Sequence, residues 1–228
     1  MQKTVDKQFK VKLVMFDLDG TLIDTAPQIA EAMNLALADL GLSKLLHSQI
    51  AGYIGAGAET LIKRCLTGSL YDEPNATLFE QAQTAFFAHY ANNVTKSLPY
   101  ASVMDGLQTI KANGFNMACV TNKPERFTLP LLQASGLIDF FELVVSGDSL
   151  PKKKPDPMQL QHICAKLGVS TTDALLVGDS NTDIAAARAA GCAIVTVPYG
   201  YNQGMPIDTN MVDATINDLN ELTTILTN

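Results

Sequence analysis

Positive charge is scarce in this chain of 228 residues: 16 lysines and arginines face 23 aspartates and glutamates, giving a net charge of −7 and a pI near 4.9. Such a balance argues against a nucleic-acid backbone or an anionic membrane as the main partner. No apolar run reaches membrane-spanning length, and the opening MQKTVDKQFK lacks the apolar centre of a secretory leader. The expectation is a soluble, cytoplasmic protein with neither nucleic acid nor membrane as partner, acting as a monomer or weak dimer. Histidine is rare: His47, His89 and His162 share no metal-ligand spacing, so packing or surface roles are expected for them. Cys65, Cys119, Cys164 and Cys192 form no C-x-x-C pair, and most sit in apolar or Ala-rich surroundings, as reduced, buried thiols do. Internal repeats and low-complexity segments are absent, and the 47% hydrophobic content excludes extended disorder.

What is present is a set of short, continuously apolar runs: 11–16 (VKLVMF), 116–120 (NMACV), 142–145 (ELVV), 174–177 (ALLV) and 193–197 (AIVTV). Continuous rather than alternating apolarity suits parallel strands covered on both faces. Helical patterns at 103–113, 127–135, 157–167 and 182–190 run up to Gly114, Gly136, Gly168 and Gly191, residues suited to a left-handed cap; Pro130 would start or kink the second. Strand and helix alternate as in a doubly wound, Rossmann-like α/β sheet. Between Leu22 and Pro99 no convincing strand occurs, only helical stretches near 26–40, 47–67 and 75–92. An insert of that length is too long for a loop. The expected division is an α/β core of residues 1–22 and 98–228 with a helical cap of 23–97.

Ligands of open parallel sheets bind beyond the carboxyl ends of the strands. Those ends carry Asp17-Leu18-Asp19-Gly20, Thr121-Asn122-Lys123, Ser146-Gly147-Asp148 with Lys152-Lys153-Lys154 after it, and Gly178-Asp179-Ser180-Asn181-Thr182-Asp183. Asp17 and Asp19, two apart in extended chain, point the same way. A buried carboxylate costs several kcal/mol unless paired or bound to metal, and a hard divalent ion, Mg²⁺ by default, would relieve this cluster. Each piece also has an ordinary explanation. Asp24 before Thr25-Ala26-Pro27 can cap a helix, as can Thr182 or Asp183, and Lys152 and Lys153 read as a solvated charge run. Phe86, Phe87 and Tyr90 fall at helical spacing, as cap core does, while Tyr199 and Tyr201 border either a packed loop or the mouth of the site.

The stretches DLDGTLID, VTNKP, KKPDP and VGDSNTD together resemble the four motifs of the haloacid dehalogenase-like phosphohydrolases, and the insert resembles their helical (C1-type) cap. YIGAGAETLIKR, VTNKPERF and VPYGYNQG resemble the phosphoglycolate phosphatases among them. That resemblance implies a Mg²⁺-dependent hydrolysis of a small phosphate monoester, 2-phosphoglycolate, with Asp17 as nucleophile forming an aspartyl-phosphate and Asp19 as general acid and base. It implies that Thr121 and Asn122 hold phosphate oxygens, that Lys154 offsets charge, and that Asp17, the Asp19 carbonyl and Asp179 hold Mg²⁺ with Asp183 bracing them. Backbone N–H groups from Leu18 to Gly20 would stabilise the transferring phosphoryl group. In the cap, Gly55 and Gly57 would let backbone N–H groups approach the substrate carboxylate at a helix starting near Ala58, with Lys63 or Arg64 as possible helpers. The alternatives are a phosphomutase of the β-phosphoglucomutase type, or a pyrophosphatase or sugar-phosphate phosphatase. A dehalogenase would not need Asp19 and the second acidic cluster, and a non-catalytic module should lack one of Asp17, Asp19, Lys154 and Asp179.

Overall fold

The computed structural model describes residues 7–227. Residues 1–6, part of the segment read for a leader and of the expected core segment, and residue 228 lie outside the described residues. After β1 (Phe9–Lys10) the chain enters β2 (Leu13–Phe16) and then the short β3 (Ile23–Asp24). Four helices follow: α1 (Ala26–Asp39), α2 (His47–Ala51), α3 (Ala58–Thr67) and α4 (Ala76–Ala91). The chain returns through β4 (Leu98–Pro99) to α5 (Val103–Ala112), β5 (Asn116–Val120), α6 (Glu125–Ala134) and β6 (Leu143–Val145). It finishes with α7 (Met158–Leu167), β7 (Ala174–Gly178), α8 (Asn181–Ala190), β8 (Ala193–Thr196), β9 (Ala214–Thr215), α9 (Leu219–Ile225) and β10 (Leu226–Thr227).

Six strands form an all-parallel sheet in the order β6-β5-β2-β7-β8-β9. The pleat divides their side chains between two cores. Val14, Phe16, Met117, Cys119, Leu175 and Val177 pack with residues of α5, α6 and α9. Leu13, Met15, Ala118, Val120, Ala174 and Leu176 pack with residues of α7 and α8. Both faces are covered, which is why these runs are apolar at every position. The fold is α/β, as the sequence implies. Phe16 pairs with Cys119 on one side and Val177 on the other, so the loops after β2, β5 and β7 open side by side at one edge.

α1 packs against α4 and α2, and α3 against α4, around the buried Met33, Leu37, Ile50, Ile62 and Phe86. β3 and β4 form a small antiparallel ribbon, Ile23 opposite Pro99 and Asp24 opposite Leu98, where the chain leaves and re-enters the sheet region. Two residues a side are too few to leave a sequence pattern. The stretch 47–67 is two helices rather than one, parted by a turn in which Gly55 and Gly57 take φ of 122° and 92°. α6 begins at Glu125 and continues through Pro130. Gly168 and Gly191 end α7 and α8 in the left-handed conformation expected of them.

Candidate active site

Lys154 organises the floor of the sheet edge. Its Nζ lies 2.8 Å from Asp17 Oδ1 and 2.6 Å from Asp183 Oδ1, and donates to the Val120 carbonyl at 2.8 Å. Those three contacts use all the ammonium's N–H groups. Burial alone would lower the Lys154 pKa, but Asp17 and Asp183 outweigh it and hold it above the ordinary lysine range. Asp183 Oδ2 accepts from the Ser180 N–H and hydroxyl, closing a capping box at the start of α8, so one carboxylate caps the helix and pairs with the lysine.

Asp179 follows β7 and is held mainly by main chain. The Tyr201 N–H donates to its Oδ2 at 2.6 Å and the Thr21 hydroxyl to its Oδ1 at 3.3 Å. Gly20 and Gly200 let the backbone pass this close; a Cβ at Gly20 would lie 2.5 Å from Asp179 Oδ2 and one at Gly200 2.3 Å from it. Ligand atoms of Asp17, Asp179 and Asp183 lie within 4.8 Å of one another. Burial pushes the Asp17 carboxyl up to about 7, with Lys154 opposing and Asp183 adding to the rise. Burial, then Asp183 and Asp17, raise Asp179 well above the carboxylate range. The raised carboxyls of Asp17 and Asp179 are hard oxygen donors that fit a divalent cation, which would favour their ionised forms, while Asp183 beside them is held by Lys154 and Ser180.

Asp19 stands on the other side of Asp17, its Oδ1 2.7 Å from Lys123 Nζ. Lys123 also donates to the Tyr90 hydroxyl of α4 at 2.7 Å. Burial would lower the Lys123 pKa, yet Asp19 and Tyr90 raise it, so it stays an ammonium. A cavity of about 40 Å³ lies here, with Asp17, Asp19, Thr121 and Lys123 below and Ile54, Gly57, Phe86 and Tyr90 among its upper walls. Asp17, Asp19, Thr121, Asn122, Gly55 and Gly57, all expected from the sequence, line this one space.

Other expected residues serve differently. The Gly20 N–H donates to the Ile23 carbonyl at 3.0 Å, so Gly20 shapes the turn and does not offer that N–H to a phosphate. The Asn122 amide gives its two N–H bonds to the carbonyls of Gly55 (3.1 Å) and Lys154 (2.9 Å), so its side chain ties the glycine turn to the sheet edge. Lys63 pairs with Glu73, and Arg64 donates to the Tyr53 carbonyl; neither lines the cavity. Asp24 accepts from the Tyr201 hydroxyl at 2.7 Å. Lys153, read as solvated, reaches back over the turn, its Nζ 2.7 Å from where a Gly57 Cβ would stand. Tyr90, at the helical spacing of cap core, does stack on Phe86, but its hydroxyl belongs to the site. Lys123 had a signal, its place directly after Thr121-Asn122; Tyr90 had none.

A family model described as haloacid dehalogenase-like hydrolase matches residues 14–197. A phosphoglycolate phosphatase of Thiobacillus denitrificans is 48% identical over 218 residues, covering 95% of this chain and 96% of its own. One from Nitrosospira multiformis is 49% identical over 217 residues, covering 95% and 96%. A crystal structure described as that of a predicted phosphoglycolate phosphatase from Haemophilus somnus superposes with a TM-score of 0.89 at 35% identity, covering 95% of this chain and 98% of that one.

Proposed function

The chain belongs to the haloacid dehalogenase-like hydrolases and is a phosphoric monoester hydrolase, and from that premise we propose that its substrate is 2-phosphoglycolate, cleaved to glycolate and phosphate with Mg²⁺ as cofactor. The observation that carries the substrate class is the size of the cavity over Asp17 and Asp19. At about 40 Å³ it has room for a few water-sized groups, which fits a small leaving group. The names of the relatives agree with that size. We further propose the division into a core of 1–22 and 98–228 and a cap of 23–97, and action as a monomer or weak dimer. No helix among the described residues is long and apolar enough to cross a membrane.

In this reading Lys154 holds one oxygen of Asp17, which fixes the carboxylate and leaves its other oxygen to attack phosphorus. The P–O bond to the alcohol breaks as the aspartyl-phosphate forms, and Asp19 passes its proton to the leaving oxygen. Asp19 then takes a proton from water, whose oxygen attacks phosphorus, releasing inorganic phosphate and restoring Asp17. Thr121 contributes its hydroxyl, and Asn122, its amide spent on carbonyls, holds the turn of Gly55 and Gly57 over the substrate. Asp17, the Asp19 carbonyl and Asp179 would hold Mg²⁺, with Asp183 bracing Lys154; the ion would neutralise charge on the phosphoryl oxygens.

Steady-state hydrolysis of a panel of phosphate esters, with Mg²⁺ and with a chelator, tests this. Phosphoglycolate should lead the panel, and the chelator should abolish turnover. Asp17→Asn should be inactive while keeping its circular dichroism spectrum. A folded Asp17→Asn protein with near-wild-type activity would overturn the covalent mechanism, and a preference for sugar phosphates would overturn the substrate.

A further inference from the structure

A substrate with a carboxylate beside its ester oxygen brings a second anion into a cavity that already holds Asp17 and Asp19. The cations near this space are not equivalent. Lys154 has its N–H groups committed to Asp17, Asp183 and Val120, and does not line the cavity. Lys153 and Arg126 border an adjoining, outer hollow that shares Ala58, Asn122 and Pro124 with the inner cavity, and neither lines the inner cavity. Lys63 and Arg64 are engaged within the helical layer. Among the described residues, Lys123 alone lines the inner cavity with positive charge.

Lys123 is only 5% exposed, and its position is set from two sides. Asp19, on the loop after β2, holds it at 2.7 Å, and the Tyr90 hydroxyl, on α4, holds it at 2.7 Å. An ammonium has three N–H groups, and these partners take two. The third is left beside Asp19, the residue that must reach the ester oxygen. In a phosphorylated 2-hydroxy acid one carbon separates the ester oxygen from the carboxyl carbon. A substrate placed for proton transfer from Asp19 therefore has its carboxylate within reach of Lys123.

We propose that Lys123 is a specificity-determining residue that binds the substrate's carboxylate with this remaining N–H, making the enzyme selective for phosphate esters of small 2-hydroxy acids. The inference rests on the phosphatase reading above. It moves recognition of the carboxylate from the backbone N–H groups of the Gly55 and Gly57 turn, with Lys63 or Arg64 as helpers, to the loop after β5, and leaves that turn to close over it. Tyr90 acts as a positioning residue, holding the ammonium toward the cavity from the helical side.

The test compares 2-phosphoglycolate with its primary amide, 2-phosphoglycolamide, which has the same shape and an alkyl leaving oxygen but no charge. Removing Lys123 also disturbs Asp19, but that disturbance falls on both esters and cancels in the ratio of their kcat/KM values. The wild type should prefer the acid, and Lys123→Met should reduce that preference by about 10- to 100-fold, mostly through KM, as expected for losing one charge-assisted hydrogen bond. Lys123→Arg should recover part of it. Tyr90→Phe should retain a preference for the acid, since Asp19 still holds the ammonium.

Equal losses on both esters in Lys123→Met would overturn the proposal and leave Lys123 as a partner of Asp19 alone. A wild type that cleaves acid and amide equally well would overturn it without any variant, while the phosphatase chemistry stood. A wild type that cleaves p-nitrophenyl phosphate but neither glycolyl ester would instead remove the substrate reading on which the proposal rests.

Discussion

Removing a single oxygen from Tyr201 should weaken the junction where the chain passes into the helical layer, without touching the carboxylate cluster. The Tyr201 hydroxyl accepts from the Thr25 and Ala26 N–H groups at 2.8 and 2.9 Å and donates to Asp24 at 2.7 Å. It thus caps α1 from a distant loop, a task the adjacent Thr25 side chain does not perform. Burial, then Tyr100, raise its pKa above the tyrosine range, so it stays an O–H donor. Tyr201→Phe loses a bond to a carboxylate and leaves two helix N–H groups without an acceptor. At about 1.5–3 kcal/mol for the first and about 1 kcal/mol or less for each N–H, the cost is about 1.5–5 kcal/mol. For a chain of this length that lowers Tm by about 3–20 °C. Urea unfolding followed by circular dichroism measures the loss. The Mg²⁺ requirement should stay unchanged, because Asp179 is held by the Tyr201 main-chain N–H, which phenylalanine keeps. A loss below about 0.5 kcal/mol would mean that water caps α1 equally well. A sharply raised Mg²⁺ requirement would show that the hydroxyl and the cation ligand are not separable.

Two further expectations concern the cluster and the glycine turn. In a chelator, Asp17 has a folded pKa of about 7, above its unfolded value of 3.8, because burial and Asp183 outweigh Lys154. The folded state then binds the proton more tightly, so stability falls as pH rises across that window, and Asp179 shifts in the same direction. Urea midpoints should drop between about pH 5 and about pH 7.5 and recover when Mg²⁺ is added; a flat or rising profile would show that the carboxylates are not strained. At Gly57, φ is 92°, and a Cβ would stand 3.2 Å from the Asn122 carbonyl oxygen. Gly57→Val should raise KM for phosphoglycolate by about 10-fold or more and affect p-nitrophenyl phosphate far less. Equal effects would make the turn a closure element only.

The five longer strands were legible because strands covered on both faces must be apolar throughout, and the carboxylates after them stood out against that background. β9 was not legible: Ala214–Thr215 is a two-residue edge strand and carries no run. Phe9–Lys10 and Leu226–Thr227 pair across almost the whole chain, which no local pattern reports. Asp17, Asp19, Lys154 and Asp179 could be read from their places at strand ends. What Asn122 and Lys153 do could not, since it depends on how the helical layer settles on the sheet edge. Tyr90 shows the limit most clearly, because its ring obeys the helical period and only its hydroxyl, meeting a lysine 33 positions away, belongs to the chemistry.

The middle position of β2 in the sheet also bears on the order in which the chain can fold during synthesis. Its two neighbours are β5, which starts at Asn116, and β7, which starts at Ala174. β2 therefore leaves the ribosome long before either partner exists, while α1 to α4 are complete by Ala91 and can already pack together. Asp17 waits with it, beside no other member of the buried cluster. Asp179 and Asp183 arrive late, just after β7 and on α8, together with the strand that seats them. Asp17 is thus kept apart along the chain from Asp179 and Asp183 until the sheet that forces them together is itself being made.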